Sequence, residues 1–315
     1  MKLHDAAATA RALPWRDLLL AIEQTLVDQA AGRVQAPERW VLPLASATSW
    51  FLMPAWLKPP APDLAAIKLI TYAPSNATRG LPAILGDVIV LRASTGERLA
   101  MLDGPTVTAR RTAAVSLLAA RRLAPLPTGP MLVMGTGVQA MAHVQAFTEA
   151  LGVDEVWVRG RTAAASQSFA QGLHQQGLYA EPVTDLDAAL ARCPLVVTAT
   201  SATAVCLKGR VRDDAFVAAI GAFTSRMIEL DPALTQDMAQ RGQVLLDSAA
   251  ARHEAGDLIA AGLDLAALPT LGDQPARRDG GPVLFKSCGS ALWDLAAARC
   301  VAERLLGDAA RTTGA

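Results

Sequence analysis

The sequence predicts an α/β protein, with a doubly wound parallel sheet domain joined to an α+β region that carries a second sheet. Three observations predict it. From Met131 onward, short apolar runs alternate with helical stretches, the pattern of parallel strands covered by helices on both faces. Before Met131, apolar runs follow one another with only turn residues between them, as in an antiparallel or mixed sheet. The chain has 315 residues, of which 52% are apolar and 18% charged, enough for one large domain or two ordinary ones with a buried core.

Residues 15–31, WRDLLLAIEQTLVDQAA, place Leu18, Ile22, Leu26 and Ala30 at helical spacing. The runs RWVLPL, SWFLMPAW, AIKLITYA, AILGDVIVLRA and RLAMLDG read as strands, with Ser94-Thr95-Gly96 and Asp103-Gly104 as turns. VTARRTAAVSLLAARRLA reads as a helix with an apolar side, and APLPTGP (124–130) as a linker. Then come MLVMG and a helix to Leu151, EVWVRG and a helix over AAASQSFAQGLHQQ, and the apolar runs PLVVTATS, AFVAAIGA and QVLLDS. SALWDLAAARCVAERLL closes the chain as an amphipathic helix.

Composition removes several classes. Lys plus Arg and Asp plus Glu each number 29, so no net basic charge favours nucleic acid. Cys193, Cys206, Cys288 and Cys300 form no C-x-x-C pair and no zinc spacing, which suits free thiols in a cytoplasmic protein. The start MKLHDAAATARALPW lacks the apolar core of a signal peptide. Trp40–Leu57 is uncharged but barely long enough to span a membrane, and Pro43 and Pro54 interrupt it; it reads as two buried strands and a turn. His253 beside Glu254 and Asp257 is a poor metal site without a second cluster, and reads as a loop. No metal, nucleic acid or membrane partner is therefore expected. His143 reads as a surface or packing residue, and Trp50 and Trp293 as core or interface aromatics.

One motif carries chemistry. Gly135-Thr136-Gly137-Val138-Gln139-Ala140 is G-x-G-x-x-A between a strand and a helix. The first glycine permits a tight turn, the second lets backbone approach a pyrophosphate, and Ala140 keeps helix and strand close. The helix start then offers free N–H groups to the phosphates. The domain is thus expected to be a Rossmann fold. The next strand ends in Arg159, Gly160, Arg161 and Thr162, with no carboxylate for a ribose 2′-hydroxyl. Arginine pairs a 2′-phosphate in a two-pronged way, so NADPH is the expected cofactor, with NADH the alternative.

The first half adds Arg39, Lys68, Arg110 and Arg111. Lys68 alternates to the face opposite Ile67 and Leu69, which allows it to face solvent. These separate cations also suit convergence on a small carboxylate.

Taken together, LDGPTVTARRTAAVSLLAARRLA (102–124), LVMGTGVQAMAHVQAF, VVTATSA (196–202), GAFTSRMIELD (221–231), EAGDL (254–258) and FKSCGSALWDLAAA (285–298) resemble the ornithine cyclodeaminase/mu-crystallin family over nearly the whole chain. The resemblance implies a substrate-binding and dimerisation domain over 1–124, a Rossmann NAD(P)-binding domain over 125–284 inserted into it, and a C-terminal helix over 285–315 that returns to the first. It implies a homodimer, with Arg39, Lys68, Arg111 and Thr112 at the substrate carboxylate. Gly135, Gly137, Val138 and Gln139 would hold the pyrophosphate, and Arg159, Arg161 and Thr162 would meet the adenosine ribose or its phosphate. Thr200 and Ser201 would lie along the cofactor, and Ser287 and Gly289 near the nicotinamide.

The cyclodeaminases of the family use an aspartate at the position of Phe223, which weakens cyclodeamination here. GAFTSRMIEL is similar to members that reduce Δ1-pyrroline-2-carboxylate and Δ1-piperideine-2-carboxylate. The expected activity is NAD(P)H-dependent reduction of these cyclic ketimines to L-proline and L-pipecolate, with Lys68 as proton donor or carboxylate ligand. An ornithine cyclodeaminase, an alanine dehydrogenase and a non-catalytic NADPH-dependent binder remain the alternatives.

Overall fold

The structure, a computed structural model, describes residues 2–44, 47–200 and 204–313. The chain divides into two compact units, residues 1–111 with 290–315, and residues 112–289.

The first unit contains β1 (Lys2–His4), α1 (Ala6–Ala12), α2 (Trp15–Ala30), β2 (Val34–Gln35), β3 (Trp40–Pro43), β4 (Ser49–Leu57), β5 (Ala65–Tyr72), β6 (Ile84–Leu91) and β7 (Arg98–Asp103). The helix α3 (Gly104–Leu123) begins in it, and the C-terminal helix α10 (Ala291–Thr313) belongs to it. The sheet runs β1-β7-β6-β5-β4-β2, with β3 also on β4. β1 is parallel to β7 and every other pairing is antiparallel.

Strict alternation sets the two faces. Met53, Ala55, Ala66, Ile70, Val88, Val90, Ala100 and Leu102 are buried, and α10 packs on β4, β5 and β6 as well as on α2. Leu18, Leu19, Ile22 and Leu26 give α2 its buried stripe; each such side chain contributes roughly 1.5–3 kcal/mol. Pro54 falls between the stretch of β4 paired with β3 and the stretch paired with β2, where a missing N–H is tolerated. Asp28 of α2 accepts from Arg33 at 2.8 Å and also pairs with Arg299 of α10, so the helix pair is fastened by a buried carboxylate between two guanidiniums.

The second unit is doubly wound. It contains β8 (Met131–Met134), α4 (Val138–Leu151), β9 (Glu155–Arg159), α5 (Ala163–His174), β10 (Tyr179–Pro182), α6 (Leu186–Arg192), β11 (Leu195–Thr198), β12 (Phe216–Ala219), α7 (Pro232–Arg241), β13 (Gln243–Leu246), α8 (Ala251–Glu254), α9 (Gly256–Ala260) and β14 (Val283–Lys286). All seven strands are parallel in the order β10-β9-β8-β11-β12-β14-β13. β8, β11, β12, β13 and β14 are buried at every residue, as sheets covered on both faces require. The order reverses between β8 and β11, the switch point at which such sheets bind ligands beyond the strand C-termini.

Several local expectations change. Asp103-Gly104 is not a hairpin turn but the start of α3: Asp103 Oδ1 accepts from the Thr106 amide at 2.8 Å, capping the helix. The compact units divide within α3, ahead of the proline-rich stretch 124–130. Trp40–Leu57 does form strands, yet β3 is exposed along its length rather than buried. His253 lies in α8 and not in a loop. Among the described residues no helix is long and apolar enough to cross a membrane, and no group of His, Cys, Asp or Glu could hold a metal ion. None of the four cysteines is in a disulfide.

Candidate functional site

In the first unit the chemistry gathers on the covered face of the sheet. Lys68 lies mid-strand in β5, opposite Met53 of β4 and Val88 of β6. Its neighbours Ile67 and Leu69 are exposed and Lys68 is only 2% exposed, so the lysine faces inward, the reverse of its solvent-facing reading. A carboxylate makes this tolerable: Lys68 Nζ is 2.9 Å from Oδ1 and 2.9 Å from Oδ2 of Asp294, near the start of α10. Arg111 Nε, on α3, is 3.2 Å from Asp294 Oδ1. Both partners are buried.

Burial is the largest effect on Lys68 and brings its pKa down to about 8; Asp294 opposes it, while Arg111 and Arg39 push in the same direction as burial. Arg39 lies between β2 and β3, half-buried, with its guanidinium 5.7 Å from the centre of the Phe51 ring. The expected cations Lys68 and Arg111 are thus brought together, with Arg39 close enough to act on Lys68. These named groups carry three positive charges and one negative, a surplus suited to a small carboxylate. Arg110 goes elsewhere: it stacks 3.9 Å over Trp15 and donates to the Leu13 carbonyl at 2.7 Å. Thr112, next on α3, is buried.

In the second unit the glycine turn joins β8 to α4. Gly135 has φ +116°, and a Cβ there would run into the Ala199 carbonyl, so only glycine fits. Gly137 is the N-cap of α4 and makes no side-chain cap, while a Cβ at that position would have open space around it. The first N–H groups of α4, from Val138 and Gln139 onward, are therefore presented at a bare helix start, the arrangement that suits a pyrophosphate. Gly135 N donates to Arg159 O at 2.8 Å, which sets the end of β9 beside the turn. Thr162 caps α5 by accepting from the Ala165 amide at 3.2 Å, and Arg161 is exposed beside it. Thr200 follows β11, next to the residue that meets Gly135. The turn, the end of β9 and the start of the loop after β11 are thereby brought together. Ser201 lies outside the described residues.

Ser287 and Gly289 follow β14. Asp247, after β13, accepts from Ser287 Oγ at 2.8 Å and from the Gly289 amide at 2.9 Å. His143 is wholly buried in α4, contacting Gln139 O at 2.8 Å and Ser116 Oγ at 3.0 Å, a packing role. Phe223 packs at the margin of the second unit's core.

Sequence reading missed two carboxylates that organise these sites. Asp294 follows Trp293 on the last helix, and its partners Lys68 and Arg111 both come from the other end of the chain, with Lys68 lying 226 residues away, beyond the reach of any local pattern. Asp247 sits in an unremarkable strand end. An acidic residue on the otherwise apolar side of α10 was the one signal available for Asp294.

The fold defines a nucleotide-binding α/β protein whose first unit holds a buried lysine–carboxylate–arginine cluster. The chain belongs to the ornithine cyclodeaminase/mu-crystallin family, whose model matches residues 2–309. It is 40% identical over 306 residues to Δ1-pyrroline-2-carboxylate reductase 1 of Burkholderia multivorans, covering 96% of each chain. It is also 40% identical over 314 residues to the Δ1-pyrroline-2-carboxylate/Δ1-piperideine-2-carboxylate reductase of Azospirillum brasilense, covering 99% of this chain and 97% of that one. Among solved structures it superposes on the Δ1-pyrroline-2-carboxylate reductase of Thermococcus litoralis, in complex with NADH and L-proline, with TM-score 0.87 at 22% identity over 98% of each chain.

Proposed function

We propose that this protein is an NADPH-dependent imine reductase, an oxidoreductase acting on CH–NH bonds, that converts Δ1-pyrroline-2-carboxylate to L-proline and Δ1-piperideine-2-carboxylate to L-pipecolate. The observation that carries the reading is the buried Lys68–Asp294–Arg111 cluster, with Lys68 brought down to about 8. Relatives at 40% identity named for this reaction support it.

When bound, the cofactor supplies hydride to the C=N carbon. The chain's own residues must do the rest. Arg111, with Arg39, pairs the ring carboxylate; a guanidinium grips it in two-pronged fashion. Lys68 donates a proton to the ring nitrogen, directly or through water. With that proton in place the ring nitrogen would take up the C=N π pair as the amine lone pair, which leaves the ring carbon open to hydride. A pKa near working pH is what such a donor needs. Asp294 holds Lys68 in place and keeps its ammonium form accessible. Thr112 supports the carboxylate end. Gly135, Gly137, Val138 and Gln139 would receive the pyrophosphate. Arg159, Arg161 and Thr162, with no carboxylate among them, favour a 2′-phosphate and so NADPH over NADH. Thr200, Ser201, Ser287 and Gly289 would line the nicotinamide half.

The outward face of the first sheet supports a homodimer. Trp40, Leu42, Trp50, Ile67, Leu69 and Leu85 are all exposed there, a large and mostly apolar surface for a single chain to leave open, with Asp87 opposite Leu69 as a charge within it. A second copy is the occupant we assign to it, and Leu69→Lys should convert a dimer to monomer in light scattering.

The activity test follows NADPH absorbance with each cyclic ketimine, with pyruvate plus ammonia, and with ornithine plus NAD. Oxidation of NADPH by the ketimines is the expected result. Turnover of ornithine alone, or no turnover, overturns the reading.

A further inference from the structure

The second unit holds a buried carboxylate that no step above uses. Glu229, just before α7, is fully buried. Its Oε1 accepts from the Thr200 amide and the Thr200 hydroxyl, each at 2.8 Å. Its Oε2 accepts from Thr198 Oγ1 at 3.1 Å and from the amides of Gly221 and Ala222 at 2.7 and 2.9 Å. One side chain therefore ties the residues that leave β11 to those that leave β12. The fit is close: a Cβ on Gly221 would collide with Glu229 Oε1 and with the Thr200 carbonyl.

Glu229 is itself held. Asp257 Oδ1 accepts from the amides of Glu229 at 2.5 Å and Leu230 at 3.0 Å, and Asp257 Oδ2 accepts from Lys286 Nζ at 2.6 Å, at the end of β14. All three charged groups are fully buried. Burial alone would lower the Lys286 pKa, but Cys288, Asp257 and Glu229 together raise it, so the lysine stays cationic and offsets one of the two carboxylate charges. A neutral amide could not satisfy donors on both of its ends, whereas a carboxylate accepts on both oxygens.

We propose that Glu229 is a positioning residue for the nicotinamide half of the cofactor, acting by fixing the exits of β11 and β12. The inference rests on the nucleotide reading of the second unit. The adenosine half of a dinucleotide lies over the strands on the β8, β9 and β10 side, and the nicotinamide half over the strands beyond the switch point. Glu229 holds only the latter. Its hold on Thr200 also has a chemical consequence: the Thr200 hydroxyl hydrogen is committed to the carboxylate, so in the contact with Cys206 Sγ at 3.8 Å the hydroxyl is the acceptor.

The test is calorimetric titration of wild type and Glu229→Gln with NADPH and with 2′,5′-ADP, which carries only the adenosine half. For the folded variant the expected result is a rise in the NADPH Kd of roughly tenfold or more, as for loss of hydrogen bonds to a charged group, with the 2′,5′-ADP Kd changed less than twofold. A general loss of structure would weaken both ligands together and overturn the inference, as would an unchanged NADPH Kd. Should Glu229→Gln fail to fold, Thr198→Val removes one of the bonds isosterically; it should raise the NADPH Kd severalfold while sparing 2′,5′-ADP, and no change overturns the inference. Wild type that binds neither nucleotide overturns the nucleotide reading itself, which separates the two failures.

Discussion

Lys68 Nζ lies 2.9 Å from both carboxylate oxygens of Asp294, 226 residues away along the chain. The pair sets an ammonium deep in the first unit with a pKa of about 8 rather than 10.5. Donation to the ring nitrogen needs the protonated form, so kcat/KM should hold below about pH 8 and fall as pH rises through it. Asp294 favours the charged form of Lys68, whereas burial and Arg111 oppose it. Asp294→Asn should therefore lower the Lys68 pKa further and move the alkaline limb of the kcat/KM profile to lower pH. Lys68→Met should lower kcat by roughly 10²–10⁴ with little change in NADPH Kd, the range for loss of a positioned acid. A limb that stays in place in Asp294→Asn, or a near-normal kcat in Lys68→Met, would show that Lys68 only binds the carboxylate.

Arg111 separates charge from geometry. It is buried and its Nε sits 3.2 Å from Asp294 Oδ1. Arg111→Lys keeps the charge and loses the planar fork. The expected outcome is a KM for the cyclic imino acid raised roughly tenfold or more, the scale of about 1.4 kcal/mol, with the cofactor KM unchanged. Steady-state kinetics with each substrate varied in turn provides the check. Equal increases in both KM values would mean that Arg111 is not a substrate contact.

The second unit was far more legible than the first. Its strands are short, apolar and separated by helices, and the G-x-G-x-x-A turn has a fixed local geometry, so each element speaks for itself in the sequence. The first unit's outcome depends on long-range pairing. Alternation around Lys68 correctly put it opposite Ile67 and Leu69, but local pattern cannot say which face a distant helix will cover. Two apolar neighbours made the Lys68 face look wet; Asp294 on α10 made it dry. Asp103-Gly104 misled for a related reason: the same dipeptide serves a hairpin or a helix cap, and the choice belongs to the α3 residues that follow. The carboxylates Glu229 and Asp257 stood inside segments that carry the family resemblance, yet their roles required knowing which strand ends they span.

The two motif glycines should respond differently to a methyl group. Gly135 has φ +116° and faces the Ala199 carbonyl, so Gly135→Ala strains backbone and clashes; a lower Tm is expected. Gly137 has φ −92° and open space where its Cβ would stand. Gly137→Ala should leave Tm within about a degree, since its backbone already suits an L residue, and should weaken NADPH binding because the methyl fills the approach of the pyrophosphate. Thermal unfolding with and without nucleotide checks both. A Gly137→Ala variant that binds NADPH as wild type does would remove the pyrophosphate from this turn.

His143 predicts an acid sensitivity unrelated to the chemistry. It is fully buried, and burial, only partly opposed by its bond to the Gln139 carbonyl, lowers its pKa from 6.5 to about 4. With Gln139 O accepting from Nδ1 and Ser116 Oγ donating to Nε2, the neutral ring is satisfied on both sides. Between pH 6.5 and about 4 the unfolded chain binds this proton and the folded chain does not. Stability contributed by the neutral ring is therefore complete above pH 6.5 and is lost as pH falls towards 4, by roughly 3 kcal/mol at most. Urea unfolding of wild type and His143→Gln across this range reads the effect directly. The variant should start less stable at pH 7, and its deficit should shrink as pH falls, because it has no ring to protonate. A constant deficit from pH 7 to pH 4.5 would mean that His143 already carries its proton in the folded protein, or that another group governs the acid limb.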